Sequence, residues 1–438
     1  MTTKDRDIEA RRTGANRRQM LLGLGAAAGG AMALGARPSA AAERQVADAP
    51  TEAETVRRQP FYGEHQAGIV TPRPAHGMIA AFDVVVTSPR ELEQLLRGLT
   101  ERILFLTQGG TPPELDPKYP PADSGILGPV VQPNDLTITV ALGASLFDNR
   151  PWLAHLKPNT LQRMVEFPND ALDPELCHGD LSLQFSAHDS DTNIHALRDI
   201  LKTLSQFLVI RWKQEGSVPV IAPKPDGTSE SARNFLGFRD GSANPNSNDA
   251  GLMDRIVWVD AEDGEPGWAA GGSYQAVRII RNFVERWDRT PLREQEHIIG
   301  RRKMSGAPLD GGNSEHDVPD YAADPEGAKT PLDAHIRLAN RRTPSSQRNL
   351  ILRRPFNYSN GVTKNGQLDQ GLLFIAYQAD LQKGFIAVQS RLNGEPLEEY
   401  IKPVGGGFFF ALPGVVSPGG YLGQSLVEAA DKIPNEQS

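Results

Sequence analysis

An α+β fold, with antiparallel sheets in two successive ferredoxin-like units, is predicted by three observations. Apolar extended runs alternate with amphipathic helical stretches. The first half reads strand, helix, long loop, strand, strand, helix, strand, which is close to a split βαβ ferredoxin-like unit. The same arrangement returns after residue 231, without any residue-by-residue repeat. At 438 residues and 39% hydrophobic content, the chain is long enough for more than one packed unit.

Residues 11–42 read RRTGANRRQMLLGLGAAAGGAMALGARPSAAA, an arginine pair, a weakly apolar Gly/Ala run and a small-residue end. This predicts a cleavable export signal over residues 1–42. Arg17-Arg18 fits the twin-arginine type, although Asn16 and Met20 stand where Ser and Phe are favoured. The run from Met20 to Ala36 is too short and too rich in glycine for a stable membrane span; an uncleaved anchor is the alternative. The twin-arginine route carries folded proteins, so it points to a periplasmic or other extracytoplasmic location for a chain that folds before export.

Residues 43–75 lack periodicity and are expected to form an N-terminal strap. His65, in FYGEHQAGIVTP, has no second ligand at a useful spacing and is read as a packing or surface-binding residue rather than a metal ligand. The first unit spans 76–230. HGMIAAFDVVV reads as a strand, and Ser88 caps the amphipathic SPRELEQLLRGLTERILFL. DLTITVALGASLF and LSLQFSAHD are strands, TNIHALRDILKTLSQFL is a helix, and LVIRWKQEGSV is extended. His178, His188 and His195 fall on a loop, a strand end and a helix, so they form no local metal face. The second unit spans 231–438. GGSYQAVRIIRNFVERWDR is strand-like and TPLREQEHIIG helical, followed by a long acidic loop; GLLFIAYQ is a strand, DLQKGFIAVQSRLN a helix and GGGFFFALPG a final strand.

The formal charge is −8, and without the first 42 residues it deepens to −12, 39 basic against 51 acidic residues. Such a surface argues against general nucleic-acid binding, which relies on Lys and Arg neutralising phosphates. The single cysteine, Cys177, excludes an intramolecular disulfide and any multi-cysteine cluster, and is read as a buried, inert thiol. A copper oxidase is disfavoured because there are no His-x-His pairs.

Two stretches concentrate the chemistry. FLGFRDGSANP, residues 235–245, brackets Asp240 with Gly237 and Gly241 in a turn where the backbone can lie close to a flat ligand. The bland alternative is an ordinary Asp-Gly turn. DAHIRLANRRTPSSQRNLILRRPFNYSNG carries one histidine, His335, among many arginines. Together they suggest haem, since a neutral imidazole can ligate iron from one side while a carboxylate and a guanidinium manage a bound peroxide on the other. A helix histidine and a solvated arginine face remain the plain readings.

GFRDG with Asn244, then HIRLAN, ILRR and GQLDQGLLFIAYQ, in this order, resemble the dye-decolourising peroxidase family, and most of all its twin-arginine-exported branch of bacterial ferrous-iron uptake systems. The resemblance runs from about Pro60 to the C-terminus. It implies paired ferredoxin-like domains, one haem b per chain in the C-terminal half, and one-electron oxidation of organic donors by hydrogen peroxide. It also implies possible release of iron from haem with the porphyrin left intact, partners within an iron-uptake system, and a homodimer as one oligomeric option. A non-catalytic haem or iron carrier is the competing class.

Residue by residue, the resemblance makes His335 the iron ligand, Asp240 the distal acid–base group and Arg353 the distal arginine, with Arg354 the obvious misassignment. Asn340, Arg341 and Arg342 match the propionate-side segment, although close relatives carry proline where Arg341 stands. Gly241, Ser242 and Ala243 would line the cofactor edge, and Leu372 and Phe374 would shape a small, dry peroxide pocket. Asp380, after IAYQ, is the expected hydrogen-bond partner of His335. Bulky donors would react at the cofactor edge or through Trp152, Trp212, Trp258, Trp268 or Trp287, for each of which core packing is the alternative.

Overall fold

The computed structural model describes residues 57–222 and 230–432; the predicted export signal lies outside them. β1 (His76–Val84) is almost wholly buried, as its apolar HGMIAAFDV requires of a strand covered on both faces. α1 (Pro89–Gln108) starts where the Ser88 side chain accepts from Glu91 N, with Pro89 at the first helical position, and ends at Gly109 with φ 72°. Leu92, Leu95, Leu96, Leu99, Ile103 and Leu106, spaced three or four apart, face the core. β2 (Thr137–Gly143) and β3 (Leu181–Ala187) follow. Asp189 caps α2 (Ser190–Thr203) by accepting from Thr192 N, and β4 (Leu208–Ser217) ends the first half.

The second half opens with β5 (Ser273–Asn282) and α3 (Leu292–Ile299). The strand-like reading through Trp287 overshoots, because Val284–Trp287 turns into a short helix that buries Trp287. After α4 (His335–Ala339) come β6 (Leu352–Arg353) and β7 (Phe356–Val362), for which the sequence reading gives no strand. Pro355 interrupts them and NYSNG resembles a turn, so neither shows the usual pattern. β8 (Leu368–Gln378) leads through a π-helical turn, Gln382–Ile386, into α5 (Ala387–Leu392). β9 (Ile401–Ala411) and α6 (Gln424–Asp431) complete the chain.

All strand pairings are antiparallel, and the two sets of strands join in one closed sheet. The order is β5-β9-β2-β3-β1-β4-β7-β8, and β8 returns to β5 from Tyr274↔Gln378 to Arg281↔Gly371, closing a barrel. Within it the first half runs β2-β3-β1-β4 and the second β7-β8-β5-β9, the same permutation twice. The seams are short: Ala141–Gly143 against Phe409–Ala411, and Ser217 against Asn357. The described residues all belong to one compact unit.

Alternation along the strands separates two cores. Ile79, Ala81, Ala141, Val277, Ile279, Leu373, Ile375, Tyr377 and Phe409 fill the barrel. Met78, Phe82, Val140, Leu142, Leu183, Phe185 and Phe410 point outward under α1, α2 and α6. Among the described residues, no helix is long and apolar enough to cross a membrane.

On β5, Arg278 is 1% exposed and its guanidinium is paired with Asp170, itself 0% exposed at the side chain, while Nε and Nη1 of Arg278 have no other partner. Removing one member of such a pair leaves a bare buried charge. Asp170→Ala is therefore expected to lower unfolding stability by about 3–5 kcal/mol, measured by denaturant titration of the purified protein.

Candidate active site

The turn that carries Asp240 is built by its own polar residues. Asn234 Oδ1 accepts from Leu236 N (3.1 Å) and Phe238 N (3.3 Å), Gly237 adopts φ +85°, and Asp240 N donates to Ala232 O at 2.8 Å. Gly241 adopts φ +155°, and a Cβ there would stand 2.9 Å from Ser231 Oγ, so the position resists a side chain. The buried Glu315 ties the two ends together, accepting from Ser231 N (3.0 Å) and Ser242 Oγ (2.8 Å). The hydroxyl of Ser242 is thus committed to the turn.

Asn244 then joins this turn to β6: its Oδ1 accepts from Arg353 N (2.9 Å) and its Nδ2 donates to Arg353 O (3.0 Å). With the backbone of Arg353 clamped, its Nη1 donates to Asp240 Oδ1 at 2.6 Å. Alternation sends the neighbouring arginines to opposite faces. Arg353 lies opposite Ala376 of β8, on the outer face shared with Leu372 and Phe374, both half-buried. Arg354 turns towards Tyr377 and the barrel, where Nη1 donates to Thr71 O at 2.5 Å. Burial raises the energy of the Asp240 carboxylate, but the charge and hydrogen bond of Arg353, the charge of Arg73 and a hydrogen bond from Asn234 together hold its pKa below the usual carboxylate value.

His335 is the first residue of α4, which packs on the end of α3; a Cβ on Gly300 (φ +92°) would meet Ile336 Cγ1 at 2.6 Å. Arg391 fixes the other end, donating to Leu338 O (3.1 Å) and Ala339 O (2.8 Å). His335 Nδ1 is 2.7 Å from Glu395 Oε2, and a third of the His335 side chain is exposed against 3% for Glu395. This corrects the expected partner. Asp380 instead accepts from Lys383 N (2.9 Å) and pairs with Lys383 Nζ (2.8 Å), capping the helical turn that follows β8. Burial disfavours the His335 imidazolium, but the Glu395 carboxylate outweighs it and the pKa rises; the charges of Arg353 and Asp240 also reach this ring. The structure therefore brings His335, Asp240 and Arg353 into one region.

Of the segment 340–342, Asn340 Oδ1 accepts from Arg342 N and Ser346 Oγ, each at 3.0 Å, shaping the loop. Arg341 is exposed. Arg342 adopts φ 56°, and its Nε is buried without a partner. The donor set fits a haem. Nδ1 of His335 is occupied, so Nε2 is the nitrogen open to a metal; Arg342 is half-buried, with a left-handed backbone and a buried Nε that makes no hydrogen bond, and suits an anion of the propionate kind; and the acid–guanidinium pair lies within electrostatic range.

Four of the five tryptophans are buried, and Trp152 is half-buried. His65 stacks on Trp258 with ring centres 3.8 Å apart. His188 and His195 bond Asp135 (2.9 Å) and Asp123 (2.6 Å). Cys177 is buried, which pushes its thiol pKa up. The sequence reading missed Glu395, Glu315, Arg73 and the clamp made by Asn244. Only Asn244 left a trace there, as part of the matched motif.

Comparison with known proteins defines the class. Residues 66–217 match the family model "Dyp-type peroxidase, N-terminal" and residues 231–416 match "Dyp-type peroxidase, C-terminal". The chain belongs to the Dyp-type peroxidase family and is a haem-dependent peroxidase. Among its relatives is a deferrochelatase of Yersinia pseudotuberculosis serotype I (strain IP32953), 54% identical over 94% of this chain and 95% of that protein. A deferrochelatase of Escherichia coli O6:K15:H31 (strain 536 / UPEC) is 55% identical over 94% of this chain and 97% of that one. Among solved structures, a DyP-type peroxidase from Cellulomonas bogoriensis is 38% identical with a TM-score of 0.75, covering 85% of this chain and 99% of that one. Ferric DtpA from Streptomyces lividans is 33% identical with a TM-score of 0.74, covering 85% and 97%.

Because the carboxylate supports the protonated ring, the stability it lends the haem-free protein is complete below about pH 6.5, the unfolded pKa of histidine, and is lost as pH rises through the higher folded value. In haem-free Glu395→Gln, burial acts on the ring without that carboxylate. The His335 titration midpoint, followed by imidazole NMR, is expected to fall relative to wild type.

Proposed function

We propose that one haem b is held in the C-terminal half at His335, and that Asp240 and Arg353 are the residues that act on hydrogen peroxide. The observation that carries this is the 2.6 Å Asp240–Arg353 pair within electrostatic reach of an imidazole already anchored by Glu395. When bound, haem supplies the redox-active iron. His335 would hold the metal through Nε2, with Glu395 accepting the Nδ1 proton and so keeping the ring basic and oriented. Arg342 would receive a propionate, with Asn340 shaping its loop and Arg341 near its rim. Gly241, Ser242 and Ala243 would lie along the cofactor edge.

Asp240, kept ionised by Arg353, takes a proton from peroxide and returns it to the departing oxygen. Aspartate is a weak base, so its fixed position matters more than its basicity. Arg353 stabilises the negative charge that grows as the O–O bond breaks. Leu372 and Phe374, on the same outer face of the sheet, keep the space small and dry. Organic donors therefore give up single electrons from outside it.

Relatives named deferrochelatase at 54–55% identity support a second activity on haem as substrate, releasing its iron and leaving the porphyrin intact. The arginine pair and apolar run support export by the twin-arginine route to the periplasm, with partners in iron uptake. The repeated strand permutation, and family boundaries at 66–217 and 231–416, support two ferredoxin-like domains, 76–230 and 231–438, behind a strap at 43–75. A haem carrier would need neither Asp240 nor Arg353.

Purified, haem-loaded protein is expected to show a Soret band and peroxide-driven dye oxidation. Asp240→Ala and Arg353→Leu should each lower turnover about a hundredfold or more while the Soret band is retained. Turnover at the wild-type rate in both variants would remove the roles assigned to these residues.

A further inference from the structure

The strap preceding β1 runs through the barrel and ends beside the Asp240–Arg353 pair. Tyr62 and His65 bridge to Val415 and Pro413. Gln66 then fills the notch where β2 and β9 part, donating to Val140 O and Leu412 O and accepting from Val140 N, each at 2.8 Å. The carbonyls of Ala67 and Gly68 accept from the inward-facing Thr139 Oγ1 (2.8 Å) and Gln184 Nε2 (3.1 Å), and Ile69 is fully buried in the interior core. Leaving the barrel at Thr71, the chain delivers Arg73 to the bend between β6 and β7. There Nη1 of Arg73 donates to Pro355 O, two residues beyond Arg353, and the guanidinium lies 5.7 Å from the centre of the Phe356 ring. Among the described residues, Arg73 has no salt bridge to a carboxylate.

Asp240 is faced by Arg353 from β6, Arg73 from the strap, Asn234 from its own turn and, at longer range, His335 from α4. The adjacent Arg239 is engaged by Glu230 and Glu315. We infer that Arg73 is a positioning residue of the peroxide side, fixing the bend that presents Arg353 and giving Asp240 a second positive charge. The inference rests on the reading of Asp240 as the working base. A cation beside a carboxylate favours its ionised form, so loss of Arg73 makes Asp240 take up its proton at higher pH, and turnover fails earlier as the solution is acidified.

The test uses Arg73→Met and Arg73→Lys with two readouts: the Asp240 carboxylate titration in haem-free protein, by infrared difference against Asp240→Asn, and the pH profile of kcat in haem-loaded protein. Arg73→Met is expected to raise the Asp240 midpoint and the acid limb together by about half a pH unit or more, and Arg73→Lys to hold both near wild type. An unmoved infrared midpoint in Arg73→Met would overturn the inference, as would equal loss of kcat in both variants without a pH shift. If Asp240→Asn turned over like wild type, the base assignment would fail, and the infrared midpoint would still decide the part played by Arg73.

Discussion

The contact on which the site depends joins side chains 113 positions apart, a carboxylate on a loop and a guanidinium on a two-residue strand, at 2.6 Å. Neither element is stiff by itself. The turn is held from within by Asn234 and from beneath by Glu315, and the strand is held by β8 and by both hydrogen bonds of Asn244. For a largely buried ion pair, desolvation offsets much of what the contact itself gains. Its use lies in being held in one geometry, and most of the polar residues around it serve that end.

The barrel makes this possible by giving β8 two jobs. One edge pairs with β5 to close the sheet, and the other receives β6 and β7 in succession. Side chains on β8 alternate between the interior core and the outer face of the C-terminal half, so a single strand both completes the core and sets Leu372 and Phe374 on the face that carries Arg353. The same alternation sends Arg353 outward and Arg354 inward, giving consecutive arginines unrelated roles.

How much of this was legible in the chain follows from the range of the forces involved. Caps and amphipathic faces act over three or four residues, so α1, α2 and most strands were readable from Ser88 and the spacing of Leu and Val, while the Asp189 cap of α2 was not singled out. The motifs singled out Asp240, His335 and Arg353, which the structure places in one region. Asp380 misled because an acid after a strand can either cap the next helix or reach a histidine, and local sequence does not distinguish these. Glu395 lies 60 positions from His335 and only the tertiary fold brings them together. β6 and β7 escaped because Pro355 and the polar NYSNG break the alternation that marks a strand. Arg73 looked like one more charge in an irregular strap, since nothing local says that the segment before it is buried.

That buried segment belongs to the cylinder's interior although it precedes the first strand. Residues 66–71 bond to inward-facing side chains of β2 and β3 and, through Gln66, to Leu412 just past the last strand, so contacts from both ends of the described chain meet on it. Shortening the protein to begin at β1 would therefore remove the spindle about which the sheet is wound.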